Sequence, residues 1–148
     1  MSNSKLGTFF AADPRLGGTA AVCNPEGGPA TARCLDLTGN EQAYAPKLTL
    51  SAGAQYAIPL GSDATLTPRV DFAHIAASWG TLFQNPLFGD RLEERNIVNG
   101  QLTLKTGDWS IAAYGTNLTN QHYVAAINGA RRLAGAPRQY GLRVSRSF

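Results

Sequence analysis

Long apolar runs are missing from this sequence. No stretch of its 148 residues approaches the roughly 18 uninterrupted apolar residues that a membrane-crossing helix needs, which argues against a helical membrane protein. The opening "MSNSKLGTFF" lacks a basic region, an apolar stretch and a small-residue cleavage site, so no signal peptide is expected in it. Charge is scarce too: Asp, Glu, Lys and Arg make up 16%, below the roughly 25% of ordinary globular domains. Cysteine occurs only at Cys23 and Cys34, with no second pair and no nearby histidine to complete a zinc set. A loop disulfide formed in an oxidising compartment is the favoured reading, with two free thiols as the alternative.

The length suits one ordinary domain. The net charge of +3 and the late cluster Arg131, Arg132, Arg138, Arg143 and Arg146 would suit an anionic polymer. No aromatic-interleaved recognition motif accompanies these arginines, so they read as a solvated face or as strand ends, and no nucleic acid is expected.

Present in abundance are glycine, at 16 residues, and period-2 alternation from position 47 onward. In "KLTLSAGAQYAIPL" the residues from Leu48 through Leu50, Ala52, Ala54, Tyr56 and Ile58 to Leu60 share one face, opposite Lys47, Thr49, Ser51, Gly53 and Gln55. The tight-turn signal "GSD" follows, and then Ala64, Leu66, Pro68, Val70 and Phe72 alternate with Thr65, Thr67, Arg69 and Asp71. Pro68 sits awkwardly there, because proline has no N–H for a ladder and avoids central strands. An aperiodic stretch precedes "RNIVNGQLTLKT", where Val98, Gly100, Leu102 and Leu104 share a face. A "GD" turn leads to "WSIAAYGTNLTNQHYV", with Trp109, Ile111, Ala113 and Gly115 on one side. After the irregular "AAINGARRLAGAP", Tyr140, Leu142, Val144 and Phe148 share the apolar face of a last strand, interrupted by Arg146.

The connections alternate strictly between long loops and tight turns, which in an antiparallel meander puts every tight turn at one end. With strands near or above the 9 to 11 residues of a tilted crossing, this predicts an all-β antiparallel meander of about five to six strands, a partial segment of a transmembrane β-barrel. Short turns then face the periplasm and long loops the outside, which places the closing aromatic Phe148 at the inner membrane boundary of the wall.

Three stretches resemble the C-terminal barrel strands of TonB-dependent outer-membrane receptors. Their carriers are Ala45 and Pro46 before a strand; Trp109 followed by Asn117, Leu118, Thr119 and Tyr123; and Gly135, Pro137, Arg138, Tyr140 and Gly141 leading to the terminal Phe148. The resemblance spans positions 43 to 148, and a cysteine pair in the preceding loop is similar to the family as well. It implies that residues 1–46 hold a partial strand and a long extracellular loop and 47–148 the closing barrel strands, with the family's plug domain absent. It implies active uptake of a scarce nutrient such as a ferric siderophore, in the outer membrane of a Gram-negative bacterium. The partners implied are outer-membrane lipid, the remaining barrel strands and plug, the TonB system acting through an N-terminal part that is missing here, and the barrel-assembly machinery, which would read Phe148. Loops 80–93 and 126–136 would help to receive ligand, with Trp79, Phe83, Phe88, Arg131 and Arg132 as candidate contacts to an anionic chelate, although loop anchoring explains the same residues.

No enzyme is expected. His74 and His122 lie on different strands without a nucleophile or a metal set, and no cofactor motif is present. Asp90, Glu93 and Glu94 read as a solvated loop edge, lacking the spacing of a calcium loop. Two rival readings are a soluble antiparallel β-domain that binds a small ligand, and an orphan segment without transport activity. Five or six strands alone leave unpaired edges and an uncovered apolar face.

Overall fold

A computed structural model of the chain describes residues 4–12, 34–129 and 131–147, and of Phe88 the backbone alone. The fold is all-β with antiparallel sheets, and a single 3-10 turn, Pro86–Phe88, is the helical segment among the described residues. The chain divides into two compact units, Met1–Lys47 with Ser78–Leu92, and Leu48–Ala77 with Glu93–Phe148. The loop 78–92 groups with the N-terminal unit and not with the strands that flank it.

The second unit is a sheet of five positions. Strands β3 (Thr49–Gln55) and β4 (Ile58–Leu60) together form one edge, followed by β5 (Ala64–Ile75), β8 (Arg95–Thr106), β9 (Trp109–Thr116) and β12 (Gln139–Arg146). Every neighbouring pair is antiparallel. Gly61 and Gly107 take the left-handed conformations, φ 77° and 50°, that tight hairpin turns ask of glycine. The two turns lie side by side, Gly107 N–H donating to the Asp63 carbonyl at 3.3 Å, and Ser147 N–H donates to the Asp108 carbonyl at 2.9 Å. All tight connections are therefore at one end, and the long ones leave from the other.

Register fixes the faces. On the more apolar face, designated outer with its reverse designated inner, rows run Ile58–Leu66–Leu104–Ile111–Val144 and Pro68–Leu102–Ala113–Leu142 across the strands. On the inner face, Thr65–Lys105–Ser110–Ser145 and Arg69–Gln101–Tyr114–Gly141 run alongside. Among the described residues the sheet is one layer thick and builds no core. The buried apolar side chains among the described residues are Leu37 and Leu92 in the first unit and Ala112 and Ile127 in the second.

Pro68 does sit in a central strand, and the ladder shows why it is tolerated. Its carbonyl accepts the Tyr56 N–H at 3.1 Å, so its backbone polar side faces the edge strand, and its missing donor leaves only the Tyr56 carbonyl unbonded to it. The interruption between β3 and β4 falls there. Toward β8, Pro68 opposes Leu102 across a position that needs no ladder bond.

Within the first unit, β1 (Phe10–Ala12) pairs with β2 (Cys34–Asp36), and β6 (Ser78–Trp79) with β7 (Arg91–Leu92). Cys34 is disulfide-bonded, whereas Cys23 lies outside the described residues. Asp36 accepts the Thr38 N–H at 2.9 Å, and hydrogen bonds from the Thr38 side chain and backbone hold its carboxyl below the usual carboxylate range.

Candidate functional site

Most of the described residues that carry the sequence resemblance, from Asn117 to Gly141, gather at the loop end of the sheet. Strand β9 stops at Thr116 rather than running on through "NLTNQHY", because Asn117 and Asn120 adopt left-handed backbone, φ 49° and 51°. Asn117 is only 3% exposed. Its Nδ2 donates to the carbonyls of Gln121 and Ala136 at 2.9 and 3.0 Å, its Oδ1 accepts the Gln121 N–H at 2.9 Å, and its own N–H donates to Asn99 Oδ1 at 2.9 Å. One side chain thus ties the end of β9, the turn after it and the approach to β12. Asn120 Oδ1 takes the Arg138 N–H at 3.2 Å. Residues 136 and 138 are both clasped, and Pro137 between them has no N–H to satisfy.

Leu118 lies on the outer face over Gly100 and Gly115, which oppose each other across β8 and β9. A Cβ on Gly115 would stand 2.5 Å from the Leu118 side chain and 3.0 Å from the Tyr140 ring. Tyrosine and glycine are exchanged reciprocally between β9 and β12: Tyr140 covers Gly115 outside, and Tyr114 covers Gly141 inside. Tyr123 repeats the device, its ring crossing Gly135 while its carbonyl accepts the Gly135 N–H at 2.8 Å. The Arg95 guanidinium lies 5.1 Å from the Tyr123 ring and that of Arg138 5.8 Å from the Tyr140 ring. Trp109 stands at the opposite, tight-turn end of the sheet, Thr119 is exposed in its turn, and Ala45 and Pro46 lead into β3 from the first unit. Phe148 lies outside the described residues.

Gly135→Ala is expected to lower stability by about 1–3 kcal/mol, because its Cβ would fall inside the Tyr123 ring. Equilibrium unfolding of Gly135→Ala, Tyr123→Ala and the double variant measures this. A double-mutant cycle in which the two losses simply add would show that the ring does not constrain the glycine.

A polar cluster lies on the inner face. Arg69 grips Asp71 with two hydrogen bonds, Nε to Oδ2 at 2.8 Å and Nη2 to Oδ1 at 2.7 Å. Asp71 leans over Gly53, whose missing side chain makes the room, and Gln55, Gln101 and Asn99 border the pair. An open depression of about 550 Å³ lies here, lined by Ser51, Gly53, Gln55, Arg69, Asp71 and Asn99 among others. Such a surface presents donors and acceptors to a polar partner.

The candidate ligand contacts divide between the units. In the first, Trp79 faces Arg91 across β6 and β7, with the guanidinium 5.7 Å from its ring, and Phe83 and the backbone of Phe88 belong to the same loop. That loop is organised around Asp90, which is buried and not the solvated edge that its sequence context suggested. Buried, Asp90 accepts the Thr81 hydroxyl at 2.6 Å and the Asn85 N–H at 3.1 Å. In the second unit, the irregular stretch 124–134 contains a hairpin of β10 (Val124–Asn128) and β11 (Arg131–Ala134), turned at Gly129 with φ 57°. Arg131 and Arg132 are successive residues of β11 and point to opposite faces.

His74 Nδ1 lies 2.8 Å from Asn96 Oδ1, and no three His, Cys, Asp or Glu side chains gather as metal ligands among the described residues. Compared with family models, curated proteins and solved structures, the chain matches none.

Proposed function

We propose that the chain is a wall segment of a transmembrane β-barrel in the outer membrane of a Gram-negative bacterium, belonging to a TonB-dependent receptor that imports a scarce nutrient such as a ferric siderophore. One observation carries the wall reading. Large apolar side chains stay exposed along one face of the sheet, from Leu50 and Phe72 through Leu102 to Leu142, 68% exposed, while the facing rows are polar. In water such a face costs free energy in proportion to its area, and a hydrocarbon phase removes that cost. Strands β5 and β8 span 12 residues each, enough for a tilted crossing.

The receptor reading is supported by the sequence resemblance. Its residues Asn117, Leu118, Tyr123, Gly135, Arg138, Tyr140 and Gly141 act together in fixing the loop end. On this reading the inner polar cluster around Arg69 and Asp71 faces the plug, the loops meet the ligand, and the TonB system and the assembly machinery are partners of the complete receptor.

Nitroxide labels placed singly at positions 102, 104 and 142, and at 103, 105 and 143, test the wall in the chain reconstituted into phosphatidylcholine vesicles. The first set is expected to relax with membrane-dissolved oxygen and the second with a water-soluble nickel chelate. Equal nickel accessibility in both sets would sink the proposal.

A further inference from the structure

We propose that Asn128 converts spontaneously to isoaspartate and aspartate through a cyclic imide with Gly129, while the sheet holds the identical dipeptide Asn99–Gly100 unreactive. Asn–Gly occurs in the chain at these two places. Glycine leaves such a step unhindered, because without a Cβ its backbone nitrogen can be approached closely. Sequence alone ranks the two sites equally, and the structure separates them.

Conversion begins when the Gly129 nitrogen attacks Cγ of Asn128. The new N–Cγ bond closes an imide ring, the Cγ–Nδ2 bond breaks, and the proton of the attacking nitrogen departs with Nδ2 as ammonia. Water then adds to either imide carbonyl. Opening at the Cγ side leaves aspartate, and opening at the main-chain side leaves isoaspartate, whose backbone is longer by a methylene. Nothing is oxidised or reduced, and water is the co-reactant.

Ring closure requires the Asn side chain to swing and the main chain to leave its extended form, so the rate follows the fraction of time for which the local ladder is open. Asn128 and Gly129 are both exposed. Asn128 pairs with Arg131 in the last rung before a turn in which Gly129 has φ 57°. Strands β10 and β11 pair with each other alone, and their register shifts between Val124 and Ala126, so a marginal two-stranded ribbon is all that has to open. The Asn128 side chain makes no hydrogen bond among the described residues. At the second site these conditions are reversed. Gly100 is flanked by Val70 of β5 and Gly115 of β9, so the ladders beside β8 must part before its nitrogen can turn. Asn99 Oδ1 is held by the Asn117 N–H at 2.9 Å, and the Leu118 side chain covers Gly100.

Either product adds a carboxylate to a chain of formal net charge +3, across the turn from Arg131. The inference concerns the hairpin itself and stands whether or not the sheet meets lipid.

The full chain is incubated in mildly alkaline buffer, native in one series and unfolded in guanidinium chloride in the other, and peptides spanning each site are quantified by mass spectrometry. Enzymatic methyl labelling of isoaspartate reports the imide route, since direct hydrolysis of the amide leaves aspartate alone. Each native rate is read against the unfolded rate at the same site. On that scale Asn99 should convert at least about tenfold more slowly than Asn128, because the opening it needs is rarer. Amide hydrogen exchange should rank Gly100 and Gly129 in the same order. Equal native rates at the two sites would overturn the inference, as would no native conversion at Asn128 where the unfolded chain converts there. Aspartate without isoaspartate at position 128 would overturn the imide route. Asn128→Gln, whose longer side chain closes the ring poorly, should abolish labelling of the hairpin peptide, and labelling that persists there would overturn the assignment to Asn128.

Discussion

Leu102→Arg is expected to cost about 2–4 kcal/mol of unfolding free energy when the chain is measured in phosphatidylcholine vesicles, the penalty that the proposed wall implies for an arginine at the midplane of a lipid-facing strand. Leu102 is the residue for this measurement because its row, Pro68–Leu102–Ala113–Leu142, is the middle one of the apolar band. Toward the turns lie the Ile58 and Leu60 rows, and toward the loops those of Val70 and Phe72. The neighbouring Thr103→Arg, on the inner face between Thr67 and Ala112, is expected to cost about 1 kcal/mol or less, since its head reaches the polar side. A urea titration of both variants decides the matter. In a sheet surrounded by water, an exposed Leu102 could be exchanged for arginine within roughly 0.5 kcal/mol. Equal, small effects at the two positions would therefore remove the lipid from the account.

The second large effect is expected at Asn117. Its replacement by alanine removes two donated bonds and one accepted bond from a buried site. It also leaves an alanine in left-handed backbone, itself unfavourable by about 1 kcal/mol. With about 1–3 kcal/mol for each buried polar group deprived of a partner, and some relaxation, Asn117→Ala should lose about 3 kcal/mol. Asn120→Ala, which frees the Arg138 N–H at a less buried position and carries the same left-handed backbone cost, should lose about 2 kcal/mol. Unfolding midpoints taken at unchanged denaturant slope measure both. A loss below about 1 kcal/mol at Asn117 would mean that the turn and the approach to β12 hold together without it.

These expectations show where sequence reasoning reached and where it stopped. Strands 64–75 and 95–106 were legible because period-2 alternation is strong there and the turns carry glycine. The end of β9 was not, because alternation says nothing of backbone hand, and Asn117 and Asn120 turn the chain by adopting φ values that most residues avoid. The hairpin of β10 and β11 hid in a run of small residues, although the dipeptide Asn128–Gly129 was an available turn signal. Asp90 was misread as part of a solvated edge because its partners Thr81 and Asn85 are ordinary loop residues until the loop closes on it. The grouping of the motif residues was only half visible. The sequence set out their order, whereas the covering of Gly135 by Tyr123 and of Gly115 by Tyr140 depends on cross-strand register.

If the sheet is the barrel wall proposed above, parity constrains what can complete it. Five antiparallel positions begin and end with strands that run the same way, so β3 and β12 both head toward the tight turns. Joining those two edges to each other would set parallel neighbours into an otherwise antiparallel wall. Adding a second identical copy head to tail, with its turns on the same side of the membrane, would do so as well. An odd number of further strands restores alternation all the way round, and five plus any odd number gives the even count typical of bacterial barrels.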